Sequence, residues 1–416
     1  MTDTSRARKL LADGAPAWQD EFYRNLHSSP ELSHQEHRTA RTAAEQLRRN
    51  GYEVREGIGG TGVVGVLRNG DGPTVLLRAD MDALPVQEAT GLPYASTATG
   101  TDPNGSTVPV MHACGHDVHV TCLLGAAELL ATDTAQWSGT LIALFQPAEE
   151  IGDGARGMVA DGLAGYIPKP DVVLGQHVLA GRAGSVVTNA GPTLSAADSL
   201  AVTVHGRGGH GSMPHNTVDP VVLAAMIVVR LQTLVSREIS PGKTAVATVG
   251  SIRAGTKSNI IPEHAVIELS LRSYDEDTRQ ALLAGVRRIV IAECQASGAP
   301  QEPEFEHLNR FPITDNDPAV TDRVTQVFDD FFGDESGTLG RWAASEDFSE
   351  IADAFGAPYT FWGFGGTDPA LYDEADRQGR RDQDIPGNHS ARFAPTLQPT
   401  LTTGTQALVV AALAWL

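Results

Sequence analysis

Three short β-rich runs in this chain each end on side chains that can do chemistry. Residues 74–78 lead into Ala79-Asp80-Met81-Asp82, residues 140–145 into Gln146-Pro147-Ala148-Glu149-Glu150, and residues 171–174 into Gly175-Gln176-His177. A fourth stretch, Met111-His112-Ala113-Cys114-Gly115-His116-Asp117-Val118-His119, enters an apolar segment. Imidazole, thiolate and carboxylate are the usual donors to zinc-like ions. Cys114 and His116, one residue apart, can both face one ion from an extended loop. A cation and a helix N-terminus would favour the thiolate. In Glu149-Glu150 the labour can divide, one carboxylate binding metal while the other moves protons. Water on such an ion has a pKa near ~7, so a nearby carboxylate can take its proton at neutral pH. His177 is a further ligand candidate. His389, in Gly387-Asn388-His389-Ser390, carries little weight by itself.

A glycine-rich turn, Gly206-Arg207-Gly208-Gly209-His210-Gly211-Ser212-Met213-Pro214-His215, reads either as a phosphate loop or as a loop presenting His210 to a substrate. It lacks the Gly-Lys-Ser/Thr ending of a phosphate loop, which weakens the first reading. Cys122 and Cys294 sit in apolar helical stretches and read as small buried side chains.

Elements must bring these residues together. Periodicity predicts helices over 18–28 and 35–50, the second stopped by Gly51. Strands are expected over 62–67, 74–78, 140–145 and 171–174. An apolar helix is expected over 118–131, capped by Asp117. Strands alternating with helices imply an α/β domain whose mixed, mostly parallel sheet is sandwiched by helices, with ligands at the carboxyl ends of the strands. The middle reads strand 199–205, helix 218–237, strands 244–252 and 265–271, helix 278–296 and strand 304–308. That β-α-β-β-α-β order is the ferredoxin-like pattern. Helices over 318–332 and 346–355 and a strand over 359–363 then resume the first pattern. The expected organisation is a first part of the catalytic domain over 1–190, an inserted α+β domain over 191–308, and a second part of the catalytic domain over 309–416.

Composition narrows the partners. The chain has 416 residues, 51 acidic against 31 basic, for a net charge of −20. Nucleic-acid and anionic-membrane partners, which need a basic footprint, are not expected. Three cysteines cannot build a disulfide framework and suit a reducing compartment or a metal site. No apolar stretch reaches the ~18–20 residues of a membrane span, and the opening residues lack the apolar core of a signal peptide. The expectation is a cytoplasmic protein.

Taken in order, Leu26-His27-Ser28-Ser29-Pro30-Glu31-Leu32-Ser33, Arg78-Ala79-Asp80-Met81-Asp82-Ala83-Leu84-Pro85, the Met111 to Asp117 string, Phe145 to Glu150, the 206–215 turn and Asn259-Ile260-Ile261-Pro262 resemble the M20 metallopeptidase and amidohydrolase family. The likeness is greatest to the N-acyl amino acid amidohydrolases, which include hippurate hydrolases and auxin-conjugate hydrolases. With His389 the motifs span nearly the whole chain. The resemblance implies two divalent ions per subunit (Mn, Zn or Co) on Cys114, His116, Glu150, His177 and His389. It implies Glu149 as catalytic acid/base and Asp82 as the acid that orients a ligating imidazole. The role of Asp80, which stands where other branches of the family have a metal-binding His, is left open.

The inserted domain resembles the family's lid and dimerisation domain and implies a homodimer. There His210 would reach the substrate oxyanion, in its own subunit or across the dimer, and Asn259 and Arg272 would bind the substrate's carboxylate. Arg272 also reads as a plain surface charge on a strand. The sequence departs from the family pattern in a long segment over 97–110, which could alter access to the site. It departs again after His389, where Ser390-Ala391-Arg392-Phe393 replaces Ser-Pro and a later Asp-Glu pair.

The implied reaction is hydrolysis of an N-acetyl or N-benzoyl amino acid, a small-molecule substrate, by a metal-bridging water with Glu149 as general acid/base. Competing readings are a dipeptidase or carboxypeptidase of the same family, a thiol hydrolase using Cys114 as nucleophile, and a non-catalytic binding protein on the same fold.

Overall fold

The computed structural model describes residues 4–12 and 14–416. Its main strands, in chain order, are β1 Glu53–Ile58, β2 Gly62–Asn69, β3 Thr74–Asp80, β4 Gly139–Gln146, β5 Val172–Arg182, β6 Val186–Thr188, β7 Ala196–His205, β8 Ala245–Ala254, β9 His264–Ser273, β10 Glu304–Phe311, β11 Ser336–Thr338 and β12 Tyr359–Thr367. The chain divides into two compact units. One comprises Met1–Gly191, Asp315–Gly340 and Asp347–Leu416, the other Pro192–Thr314 and Arg341–Glu346.

The first unit is built on an eight-stranded sheet in the order β1-β2-β4-β3-β5-β12-β6-β11. Four of its seven pairings are parallel, β4/β3, β3/β5, β5/β12 and β6/β11, and three are antiparallel. β3 and β4 are buried almost throughout, as expected of central strands covered on both faces. Alternation places Val75, Leu77 and Ala79 of β3 with Leu141, Ala143 and Phe145 of β4 in one core, closed by helices His116–Thr132 and Leu397–Leu413. The expected α/β class is the observed one.

Three local expectations are corrected. The helix placed at 118–131 begins at His116, and its cap is Gly115 rather than Asp117. Gly115 has φ 86°, and a Cβ there would lie 2.4 Å from Val178 Cγ1, so this entry requires glycine. Asp117 falls inside the first turn, where its carboxylate bonds His27 Nδ1 at 2.7 Å. His177 is not at the end of its strand, because β5 runs on to Arg182 along β12. Pairing with β3 stops at Gly175, so His177 lies two residues beyond the last pair with that neighbour, level with Asp80 at its carboxyl end. The 97–110 segment is a hairpin, with Thr99–Thr101 paired to Thr107–Pro109.

The second unit is a four-stranded antiparallel sheet, order β8-β9-β7-β10. Helices Pro220–Thr233 and Glu276–Ala296 cover it through a core that includes Leu223, Ile227, Leu282 and Ile289. This is the ferredoxin-like arrangement. Asp219 caps the first helix by accepting from the Val221 and Val222 amides, with Pro220 at the first helical position. With its π-helical last turn, Pro220–Glu238 spans 19 residues at mean hydropathy 1.5. Among the described residues it is the one helix that length and composition would allow to cross a membrane, whereas the sequence reading placed a helix at 218–237 but expected no apolar stretch of that length. Its Leu223, Ala224, Ile227 and Leu231 pack inward, whereas Val221, Val222, Met226 and Val229 are exposed.

Candidate metal centre

In the first unit, β3, β4, β5, the entry of helix His116–Thr132 and the 387–390 loop deliver seven of the candidate residues to one place. Donor atoms of Cys114, His116 and His177 lie within 4.8 Å of one another, and so do those of Cys114, Glu150 and His389 and those of His116, Glu149 and Glu150. The Cys114 sulfur is 3.5 Å from His177 Nε2, and His389 Nε2 is 3.3 Å from Glu150 Oε2. His116 Nε2 is 3.9 Å from Glu149 and 3.8 Å from Glu150. Cys114, His116 and Glu150 each belong to two of these three sets, so the sets overlap and together offer more donors than one ion needs. Nε2 of His116 and Oε1 of Glu150 are buried with no hydrogen-bond partner. Buried polar atoms are normally paired. Orphans among thiol, imidazole and carboxylate donors are what a cation-binding cradle leaves when only protein atoms are counted.

Hydrogen bonds fix the ring tautomers. His177 Nδ1 donates to the Val178 carbonyl at 2.8 Å, which leaves the Nε2 lone pair facing Cys114. His119 Nε2 accepts from the Val178 amide at 2.9 Å, so its proton sits on Nδ1 and is donated to Asp80 at 2.5 Å. His119 therefore braces β5 beside His177 and has no lone pair free for an ion. Asp80, whose role the sequence left open, is fully buried between His119 and Arg78, whose Nη1 donates at 2.7 Å. Burial alone would raise Asp80. Its neighbours His116, His119 and Arg78 instead hold it well below the usual carboxylate range.

Asp82 acts on both halves of the site. Its Oδ1 accepts from the Glu149 amide and its Oδ2 from the Glu150 amide, each at 3.1 Å, while Ser33 Oγ donates at 2.7 Å. Oδ1 also lies 3.3 Å from His116 Nδ1. Against the effect of burial, His116, Ser33 and the Glu150 amide hold Asp82 below its ordinary value. Two non-glycine residues at the site have left-handed backbones: Ala148, with φ 49°, just before Glu149, and His389, with φ 70°. The His389 amide donates to Ala113 at 2.7 Å, and Asn388 Nδ2 bonds the Cys114 and Val178 carbonyls at 3.0 and 3.1 Å. These bonds secure the last ligand candidate, which lies 275 residues beyond Cys114 in the chain, to the loop that carries the thiol. Burial, followed by the Glu150 carboxylate, pushes the Cys114 thiol up. It is a poor nucleophile unless a cation adjoins it, which weighs against the thiol-hydrolase reading.

His210, Asn259 and Arg272 lie in the second unit. Gly209-His210 pairs antiparallel with Ile260-Ile261, and the Gly211 amide donates to the Asn259 carbonyl at 2.9 Å. His210 and Asn259 are thus neighbours on one exposed edge. The Ser212 amide donates to His210 Nδ1 at 3.1 Å, which leaves the Nε2 proton free to donate outward. Arg272 is half-buried on β9, its Nη1 bonded to the Ala343 carbonyl and Ser345 Oγ, both at 2.9 Å.

The model of the Peptidase family M20/M25/M40 matches residues 76–377. The chain belongs to this family. Among M20 relatives, it is 39% identical over 353 residues to thermostable carboxypeptidase 2 of Saccharolobus solfataricus, covering 83% of this chain and 86% of the relative. It is 38% identical over 340 residues to hippurate hydrolase of Campylobacter jejuni, covering 81% and 85%. The crystal structure of the Bacillus subtilis YXEP protein, described as a dinuclear metal-binding peptidase from the M20 family, superposes with a TM-score of 0.74 over 99% of this chain and 98% of that one, at 27% identity. This M20 protein is a metal-dependent amidohydrolase/metallopeptidase that uses divalent ions.

Sequence reasoning missed the tier behind the M20 centre. Arg78, buried at 2% exposure, joins Asp80, Gln146 Oε1 at 2.9 Å and Asp347 Oδ1 at 3.3 Å. His27 bonds Asp117 and, through Nε2, Glu88 at 3.1 Å. Burial would lower His27, but the two carboxylates raise it to about 10, so it is a cation at neutral pH. His112, with no hydrogen-bond partner on either nitrogen, is driven down to about 4 by burial and is neutral. Arg78 and His27 stood inside quoted motifs. Their partners lie up to 269 residues away, and no local spacing announces them.

Proposed function

We propose that this chain hydrolyses N-acyl amino acids to a carboxylate and a free amino acid. The observation that carries the reading is the convergence of Glu149 with His116 and Glu150 beside the Cys114 donor sets. Cys114, His116, Glu150, His177 and His389 would hold two divalent ions, and the mixed sulfur, nitrogen and oxygen donors favour zinc, cobalt or manganese over calcium or magnesium. Bound there, the ions would lower the pKa of the attacking water and polarise the scissile carbonyl. Glu149 would accept the water's proton and deliver it to the leaving nitrogen. Asp82 would keep a proton on His116 Nδ1 and so leave Nε2 as the ligating atom. His210, with its outward Nε2 proton, would donate to the oxyanion. Asn259 and Arg272 would hold the substrate's carboxylate. The C. jejuni relative, named a hippurate hydrolase, supports an acyl amino acid substrate.

A peptide bond next to a C-terminal carboxylate poses the same chemical problem, and the carboxypeptidase relative favours that second reading. A panel of N-acetyl and N-benzoyl amino acids and dipeptides, run on apo protein reloaded with Mn, Zn or Co, separates them by kcat/KM. Glu149→Gln should keep its metal and lose at least ~10²-fold in kcat. A metal-loaded Glu149→Gln with undiminished amidase activity sinks the assigned role. The exposed Val221, Val222, Met226 and Val229 next to the sheet-edge strand β8 support a homodimer formed through the second unit. Val229→Glu should then yield monomers in sedimentation, and a parent that already sediments as a monomer refutes it. The acidic chain and its buried thiols fit a small-molecule enzyme of a reducing compartment such as the cytoplasm.

A further inference from the structure

The Leu26 to Ser33 motif is only partly explained by the site. Ser33 donates to Asp82. Glu31 accepts from the Arg38 and Thr39 amides at the start of helix His37–Arg49. Three residues after Ser33 lies Glu36, with no exposed surface. Its Oε1 accepts from the His34 amide and from the Ala148 amide, each at 2.9 Å, and its Oε2 accepts from the Thr61 hydroxyl at 2.6 Å. No arginine or lysine is among these partners.

Ala148 is the residue that turns the chain into Glu149, and it does so with φ 49°. A left-handed backbone is unfavourable for a residue with a Cβ, so something must hold it there. The far side of the turn is tight: a Cβ on Gly154 would fall 1.6 Å from the Pro147 carbonyl oxygen. On the near side, three successive amides end on buried carboxylates. Ala148 bonds Glu36, and Glu149 and Glu150 bond the two oxygens of Asp82. We propose that Glu36 is a positioning residue that holds Ala148 in its left-handed conformation and so aims the Glu149 carboxylate. The inference rests on the reading of Glu149 as the proton carrier. Burial and the nearby Asp82 charge raise the Glu36 carboxyl, which agrees with a role for its oxygen as an acceptor at a fixed reach rather than for its charge.

That distinction sets the test. In Glu36→Gln the side-chain carbonyl still reaches the Ala148 amide, and the new NH2 can donate to Thr61 Oγ1. In Glu36→Asp the charge stays, but the oxygens draw back by about one bond, past hydrogen-bonding reach. In the metal-loaded full-length protein, with an N-acyl amino acid that the parent hydrolyses, Glu36→Asp is expected to lose at least tenfold in kcat. Its KM and bound metal should stay within twofold of the parent, and Glu36→Gln should stay within threefold in kcat. Glu36→Ala should match Glu36→Asp if it folds, and the Asp/Gln pair decides the matter if it does not. Glu36→Asp at parental kcat, Glu36→Gln as impaired as Glu36→Asp, or a loss that tracks loss of metal each overturns the proposal. Glu149→Gln measured alongside separates two failures. If it is active, the reading of Glu149 itself is wrong. If it is inactive while Glu36→Asp is active, only the positioning role of Glu36 fails.

Discussion

Replacing Asp82 by Asn changes one atom and tests the proposed support of both ligands and base. The carboxylate accepts from Ser33, from two successive amides and, on its Oδ1 side, faces His116 Nδ1 at 3.3 Å. An amide offers one acceptor oxygen. If that oxygen faces His116 and the Glu149 amide, the NH2 meets the Glu150 N–H and the Ser33 hydroxyl. Ser33 can turn and accept, but the Glu150 N–H cannot. One buried donor is left unpaired at about 1–3 kcal/mol, and a hydrogen bond to a charged group worth about 1.5–3 kcal/mol becomes a neutral one. A net destabilisation of about 2–4 kcal/mol follows. The same change removes the charge that would favour a proton on His116 Nδ1, for which a 10–100-fold loss of metal affinity is typical. The assay is metal titration of apo protein by calorimetry or chelator competition, with thermal unfolding of the apo form alongside. A mutant whose metal affinity is within twofold of the parent and whose Tm is unchanged would refute the reasoning. A loss of stability alone would assign Asp82 to the fold and not to the centre.

Gly115→Ala should cost about 2–4 kcal/mol, because the new Cβ meets Val178 in a left-handed backbone, and it should lower metal occupancy by displacing Cys114 and His116. Thermal melts and metal analysis check both, and a fully loaded mutant of parental Tm contradicts the packing argument. Arg78→Met strands Asp80 and Asp347 without their shared cation and should destabilise by about 3–5 kcal/mol, whereas Arg78→Lys, which keeps the charge but loses the fork, should cost less. Denaturant unfolding ranks the two, and equal losses would deny the charge a role. His27 has its folded pKa raised to about 10 from 6.5, so its contribution to stability is complete below pH 6.5 and fades as pH rises through about 10. The Tm gap between the parent and His27→Gln should therefore shrink from pH 7 to pH 10, and a gap that widens over that range would reverse the sign.

The sequence revealed donors better than it revealed their supports, and the reason is geometric. In a sheet with parallel central strands, successive strands end at the same edge, so a thiol, imidazole or carboxylate just past an apolar run is visible from its own neighbourhood. Glu149 and Glu150 have that signature, and Cys114 and His116 have its counterpart at the entry of an apolar helix. His177 shows its limit. A strand end was inferred from residues 171–174, but β5 continues to Arg182, and what exposes the imidazole is the earlier end of β3's pairing, a property of a different strand. Supports are non-local by construction. His119 acts through a Val178 amide 59 residues away, Glu36 through an Ala148 amide 112 residues away, and Asn388 through carbonyls 274 and 210 residues away. Each uses main-chain groups, whose partners leave no residue type to recognise. A substitution at such a position tests the folded arrangement more sharply than one at a ligand. It leaves every donor in place and changes only how well it is aimed.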